Sequence, residues 1–313
     1  MNVRARVRRR SGYGSPLGIA LFLLPPLGGY ALLNVYPSLL SIYYSLNEYT
    51  GVSTHMKFVG LQNFISLTRD PVVRTAVLNG LRNLFLVLAI QVPFGFVLAF
   101  LLSRVARGPK VFVFFYFLPV IISEVVLALM WRFIFQSQWG LLNSLLRTVG
   151  LEALAFKWLS NPRLAPWAVL IPGVWQWVGF NVVLFLAAIE GLPQELFEAA
   201  KIDGASSWQE LLYVTLPMLR GVYVMATILA IAGSMGGPLG YPLMLTGGGP
   251  FQASQTLSLY IYQSITGRAG LVGGVPRWGY AAALVLLNFA LVSLLSGLTW
   301  RLRRGLEAQQ QGA

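Results

Sequence analysis

The sequence predicts an all-α, polytopic membrane protein with six transmembrane helices and both termini, N- and C-, cytoplasmic. Three observations carry this. Of 313 residues, 56% are hydrophobic and only 11% charged, too few to wet a soluble domain of that length. Six apolar segments each reach the roughly 20 residues that a helix needs to cross a bilayer. The arginines and lysines gather at alternate ends of those segments, the bias that orients membrane helices.

The first segment, 17–42, follows Arg4, Arg6, Arg8, Arg9 and Arg10. A basic start resembles a secretory signal. The apolar run is too long for a signal core, though, and no small-residue cleavage site follows, so the segment reads as a retained anchor. The second and third, 75–103 and 111–135, flank a short turn holding Arg104, Arg107 and Lys110. The fourth, 164–188, and fifth, 217–236, bracket an acidic stretch. The sixth, 278–300, runs between Trp278 and Trp300, about 33 Å of helix, which matches two membrane interfaces. Arg301, Arg303 and Arg304 follow it. An inside N-terminus puts all these basic clusters in the cytoplasm. The longer, less basic stretches 43–74, 136–163 and 237–277 then lie outside. The chain divides into a basic cytoplasmic tail (1–16), the first helix with its external loop (17–74), a core of five helices (75–300) and a cytoplasmic tail (301–313).

Composition excludes several functions. There is no cysteine and His55 is the only histidine, which leaves no thiol chemistry and no histidine metal site. The net charge of +13 is spread between apolar runs and makes no single basic face, so nucleic acid is not an expected partner. No internal repeat is evident, against an inverted-repeat secondary transporter.

Five of the ten acidic residues, Glu190, Glu195, Glu198, Asp203 and Glu210, fall between segments four and five. Pro193 suits the first turn of a short helix and Glu195 its dipole. Asp203-Gly204 ends that helix, because glycine tolerates the left-handed exit. Ser207 with Glu210 predicts a capping box for a second short helix. The expected product is a helical elbow on the cytoplasmic side with Ala199 and Ala200 exposed. A negative cytoplasmic leaflet attracts Lys and Arg, so an acidic elbow suits a protein partner better than lipid headgroups.

Glu198-Ala199-Ala200, Gly204 and Val214-Thr215-Leu216-Pro217, at this spacing, resemble the EAA loop of permease subunits of binding-protein-dependent ABC importers. Val214 stands where the usual pattern has Ile. Further stretches resemble the carbohydrate branch, the maltose-type and glycerol-3-phosphate-type permeases. These are Val59-Gly-Leu-Gln-Asn-Phe64, Trp131 with Gly140 and Asn143, Leu245-Thr-Gly-Gly-Gly-Pro250 and Gly279-Tyr-Ala-Ala-Ala283. Leu239-Gly240 replaces a Phe-Asp pair of many relatives. The resemblance runs from about residue 17 to 300 and implies a MetI-like permease core. It also implies a bacterial or archaeal cell membrane, a second homologous permease, two ATP-binding subunits and an extracytoplasmic solute-binding protein. ATP and Mg would be bound by those partner subunits, with no cofactor in this chain. Glu198, Ala199, Ala200, Asp203, Gly204, Leu216 and Pro217 would make the coupling contact. Mono-, di- and oligosaccharides, polyols and glycerol phosphoesters all stay open as cargo.

None of the four lysines, Lys57, Lys110, Lys157 and Lys201, follows a glycine, so no phosphate-cradling P-loop is present. The energy for transport is expected from another chain, as rigid-body alternating access without covalent chemistry. The Thr246-to-Pro250 turn lies outside without a lysine and reads as a shaped external loop in touch with the binding protein.

Polar residues at membrane depth face a bundle interior or cavity. Trp175, Gln176, Trp177 and Asn181 cluster in segment four; aromatic faces stack on sugar rings and amides bond hydroxyls. By position relative to the EAA motif, Trp177 and the stretch from Ser234 to Gly237 match where maltose-type permeases line their cavity. Tyr241 is expected at the outer mouth. Asn288 is a further pathway residue, which an interhelical hydrogen bond explains equally well. Glu124 and Arg82 read as a gate or an ion pair, with a snorkelling arginine as the plain alternative. Two other functions compete. A self-contained secondary transporter or channel would converge ionisable groups at mid-membrane, and a membrane enzyme would need a cluster of His, Asp or Glu at one interface.

Overall fold

The computed structural model describes residues 16–52, 55–105, 109–268 and 274–311, with side chains described for 17–52, 55–105, 111–268 and 274–301. Arg4 to Arg10 and Arg107, and the side chains of Lys110, Arg303 and Arg304, lie outside the described residues.

Among the described residues four helices are each long and apolar enough to cross a membrane: Leu17–Ser45, Pro71–Ser103, Ala165–Glu190 and Trp278–Arg301. Two bent pairs, Val111–Ile121 with Glu124–Ile134 and Ser207–Met218 with Arg220–Ser234, raise the number to six. These are spans one to six in chain order. The only strands among the described residues are Asn47–Glu48 and Lys57–Phe58, a minimal antiparallel pair after span one.

Two spans differ from the straight helices expected. Span three is not continuous over 111–135 but bends by 98° at Ile122–Ser123. Pro119 lies inside the first half, and Ser123 is extended at φ −56°, ψ 133°. A proline removes an amide and crowds the preceding turn, which frees carbonyls at the bend. Span five is straight only over Arg220–Ser234, about 22 Å of helix. Its expected start at Pro217 belongs instead to the elbow, which meets it at 75°.

One buried cluster joins spans two, four and five, where Phe96, Phe185 and Tyr223 meet ring to ring, and a second joins the start of span two to helix Leu257–Thr266 and span six. Leu17–Ser45 has none of its apolar window buried, and its second half packs on span six. At one end of the bundle lie Arg104, the elbow and the close of span six. The other end carries the loops.

The recurrent motifs at the loop end act through backbone groups. The Asn63 amide donates to the carbonyls of Ser45 (2.8 Å) and Asn47 (3.0 Å). Asn143 donates to Ser137 and Phe156 and accepts from the Trp158 indole. Asn79 of span two donates to Ala253 and Gln255, holding the turn that follows Thr246-Gly-Gly-Gly-Pro250. A Cβ at Gly279 would stand 2.0 Å from the Asn47 carbonyl oxygen, so only glycine lets span six close on the first loop.

Asp70 fastens the same end. It caps span two through the Val72 amide (2.8 Å) and accepts from the hydroxyls of Tyr260 (2.6 Å) and Tyr280. Burial pushes the carboxyl up. The bonds from Tyr260, Tyr280 and the Val72 and Val73 amides outweigh it and hold the group below the usual carboxylate range. A carboxyl depressed by folding stabilises fully above its unfolded pKa of about 4, and that contribution disappears as pH falls through the lowered value. Between pH 5 and pH 3 the melting temperature of wild type is therefore expected to fall more steeply than that of Asp70→Asn. Parallel curves would remove Asp70 as a source of acid sensitivity.

Candidate functional site

The elbow is built much as its sequence suggests. Pro193 stands at the N-cap of helix Gln194–Ile202, Glu195 occupies the first turn and Lys201 the last. Gly204 is left-handed at φ +75°. The amides of Gly204 and Ala205 return to the carbonyls of Lys201 (3.1 Å) and Ala200 (2.9 Å), which closes the helix and reverses the chain. Glu198, Ala199, Asp203 and Pro217 are exposed and Leu216 is half-buried. Ile202, Trp208 and Tyr213 are 86%, 63% and 76% exposed beside the acids, an apolar surface of the kind that marks an interface.

Two expectations here need correction. Ala200 is buried, because it faces the second arm of the elbow and does not point outward. The capping box is one residue earlier: Ser206 accepts from the Gln209 amide and the Gln209 side chain accepts from the Ser206 amide. Glu210 is thereby free for another task. It is buried and ion-paired with Arg104 at the end of span two. The Arg104 guanidinium lies 4.7 Å from the ring centre of Phe100 and 5.5 Å from that of Phe197 in the elbow helix. One side chain thus joins span two to both arms of the elbow. Arg104→Ala would strand the Glu210 charge. Because Arg104 is partly solvated, a loss of about 2 kcal/mol is expected, short of a fully buried pair. Urea titration of the purified chain in detergent checks it, and an unchanged midpoint would deny the pair a structural role.

A cavity of about 470 Å³ lies between spans two, four and five, the bend of span three and the turn at 237–241. Trp177, Asn181, Ser234, Gly237 and Tyr241 all line it. Trp177 is 47% exposed and meets Phe180 edge to face at 6.2 Å. The Asn83 amide donates to the Ser234 carbonyl (3.0 Å) and so bridges spans two and five.

The segment-four cluster divides by helical geometry, since consecutive residues point in different directions. Trp175 packs edge to face against Trp131 at 5.8 Å. Gln176 is buried toward span three, donating to the carbonyls of Pro119 (3.2 Å) and Ile122 (3.1 Å) at the bend and accepting from the Tyr241 hydroxyl (2.8 Å). Tyr241 is fully buried, a piece of wall and not an open mouth. Asn288 does not line the cavity; it lies behind Gly236, with its buried Oδ1 unpartnered. Glu124 and Arg82 do not pair. Glu124 lines the cavity and accepts from the Tyr241 amide at 3.3 Å. Arg82 donates to Asn79 (2.7 Å) and lies over the Trp167 ring. The sequence reading passed over Asn83, Gln91 and Ser258. Asn83 and Gln91, eight positions apart in an apolar span and therefore on one face, are a signal that could have found two of them.

Residues 91–304 match the family model described as "Binding-protein-dependent transport system inner membrane component". That stretch holds both the elbow and most of the cavity wall. The chain belongs to this family. The permease is 34% identical to the probable ABC transporter permease protein YurN of Bacillus subtilis over 88% of this chain and 92% of that one. It is 32% identical to the lactose transport system permease protein LacF of Rhizobium radiobacter, over 88% and 90%. Its fold is similar to a chain in the crystal structure of a bacterial ABC transporter involved in the import of the acidic polysaccharide alginate. There the TM-score is 0.75 at 22% identity, covering 92% of the permease and 95% of that chain. At such identity the likeness is one of fold.

Within the permease the two sites are mechanically joined. Span four carries Trp177 and Asn181 and runs directly into the elbow; span five leaves the elbow and carries Ser234.

Proposed function

We propose that the permease forms half of a translocation pathway for a carbohydrate delivered by an extracytoplasmic solute-binding protein. A second, related permease forms the other half. Two separate ATP-binding subunits dock on the elbow at the cytoplasmic face, where Glu198, Ala199, Asp203, Gly204 and Pro217 present the coupling surface, with Ala200 and Leu216 shaping it from behind. Closure of those subunits on ATP tilts spans four and five together and exchanges inward-open for outward-open states.

The observation that carries this reading is that an exposed, acidic and apolar elbow is continuous in chain with two spans that line a cavity of amides, hydroxyls and aromatic rings. Amides and hydroxyls exchange hydrogen bonds with sugar hydroxyls, and exposed rings such as Trp177 cover the apolar face of a pyranose. The lactose permease among its relatives, and the polysaccharide importer of similar fold, agree in cargo class. Basic flanks at the elbow end support the orientation.

Reconstitution of the four kinds of subunit in proteoliposomes tests the assignment. Uptake of a radiolabelled oligosaccharide is expected to need ATP inside, the binding protein outside and both permeases. ATP hydrolysis by this chain purified alone, or uptake without the ATP-binding subunits, would overturn it.

A further inference from the structure

Among the described residues that line the cavity, Glu124 is the one carboxyl group. Glu124 opens helix Glu124–Ile134 at the bend of span three and lines the same cavity as Asn83, Gln91, Asn181, Ser234 and Ser258. No lysine, arginine or histidine is among the described residues that line this space. Arg82, the cation that the sequence set beside it as a partner, is turned away onto Asn79 and Trp167. The position is built for a carboxylate. The Tyr241 amide donates to it at 3.3 Å, its place in the first turn of a helix favours a negative charge, and Gly240 leaves room, since a Cβ there would come within 2.9 Å of its Cδ.

Resting on the carbohydrate reading above, we infer that Glu124 is a charge filter: the pathway takes uncharged or aminated saccharides and turns away uronates and phosphoesters. On this chain's half of the pathway a carboxylate with no cation beside it repels a second anion at close range, more strongly wherever screening by water is reduced. Neutral hydroxyls can donate to the same oxygens, and an ammonium does so with added charge attraction. The proposal separates this permease from any importer of an acidic polysaccharide despite the shared fold. It also removes glycerol phosphoesters from the range of cargo that the sequence left open.

The test uses the complete permease and ATP-binding assembly in nanodiscs, without the binding protein, so that its selectivity does not enter. Tryptophan fluorescence is titrated with a panel of neutral disaccharides, their uronate counterparts and their amino-sugar counterparts, at constant ionic strength. Wild type is expected to bind at least one neutral or aminated member, and its uronate about tenfold more weakly or worse. In Glu124→Gln, the ratio of the two affinities is expected to collapse toward one. Equal affinities in wild type, which needs no variant to fold, would overturn the filter while leaving the carbohydrate reading standing, as would an unchanged ratio in the variant. No binding by any saccharide would overturn both.

Discussion

Replacing Gly204 with valine is expected to cut ATP-driven uptake at least about tenfold while the spans stay folded. Gly204 holds φ +75°, and nothing lies within 4 Å of where its Cβ would be. The substitution therefore meets no clash. Its cost is backbone strain, about 1–2 kcal/mol for an ordinary side chain in the left-handed region and more for a β-branched one. A cost of about 1.4 kcal/mol lowers the population of the native elbow angle about tenfold. The return bonds of Gly204 and Ala205 would be lost with it, and the second arm would leave the elbow helix at a new angle. Gly204→Ala is expected to lose less, and Gly204→Asn least, since asparagine tolerates this conformation. Uptake rates in proteoliposomes, with the binding protein's own affinity as the control, rank the three. Full uptake by the valine variant would show that the elbow angle does not matter.

Gln176→Leu carries the largest expected effect on stability. Gln176 is 4% exposed and supplies three hydrogen bonds, two to carbonyls at the bend and one to Tyr241. Leucine keeps the volume and removes all three. Each stranded buried polar group costs about 1–3 kcal/mol, so a loss of about 4 kcal/mol is expected. Tyr241→Phe removes only one bond and should cost about 1 kcal/mol. Chemical denaturation of the two variants in detergent measures the difference. Equal, small effects would mean that the bend of span three stands without its glutamine.

Much of this architecture was legible in the chain. The six spans follow from apolar runs and flanking arginines, and the elbow from Pro193, Gly204 and their spacing. The failures share a physical origin. Helix continuity through Pro119 was assumed because hydropathy is blind to a bend whose carbonyls are satisfied by a residue 54 positions or more away. The capping box was misplaced by one residue because Ser206 and Ser207 are adjacent and both precede an acid or amide at the right distance. Tertiary pairing with Arg104, invisible locally, drew Glu210 inward. In the cavity, residue type was a fair guide and orientation was not. Trp177 and Gln176 are neighbours in sequence and serve opposite faces of span four.

The central claim is that the elbow faces the cytosol and receives force there. The chain has no cysteine, so single cysteines can be read without background. Ile202→Cys places one on the exposed elbow and Phe251→Cys one on the exposed turn at the far end. With a membrane-impermeant maleimide, Ile202→Cys is predicted to label only in inside-out vesicles and to be shielded when the ATP-binding subunits are present, and Phe251→Cys only in intact cells. Labelling of Ile202→Cys from outside intact cells would contradict the account.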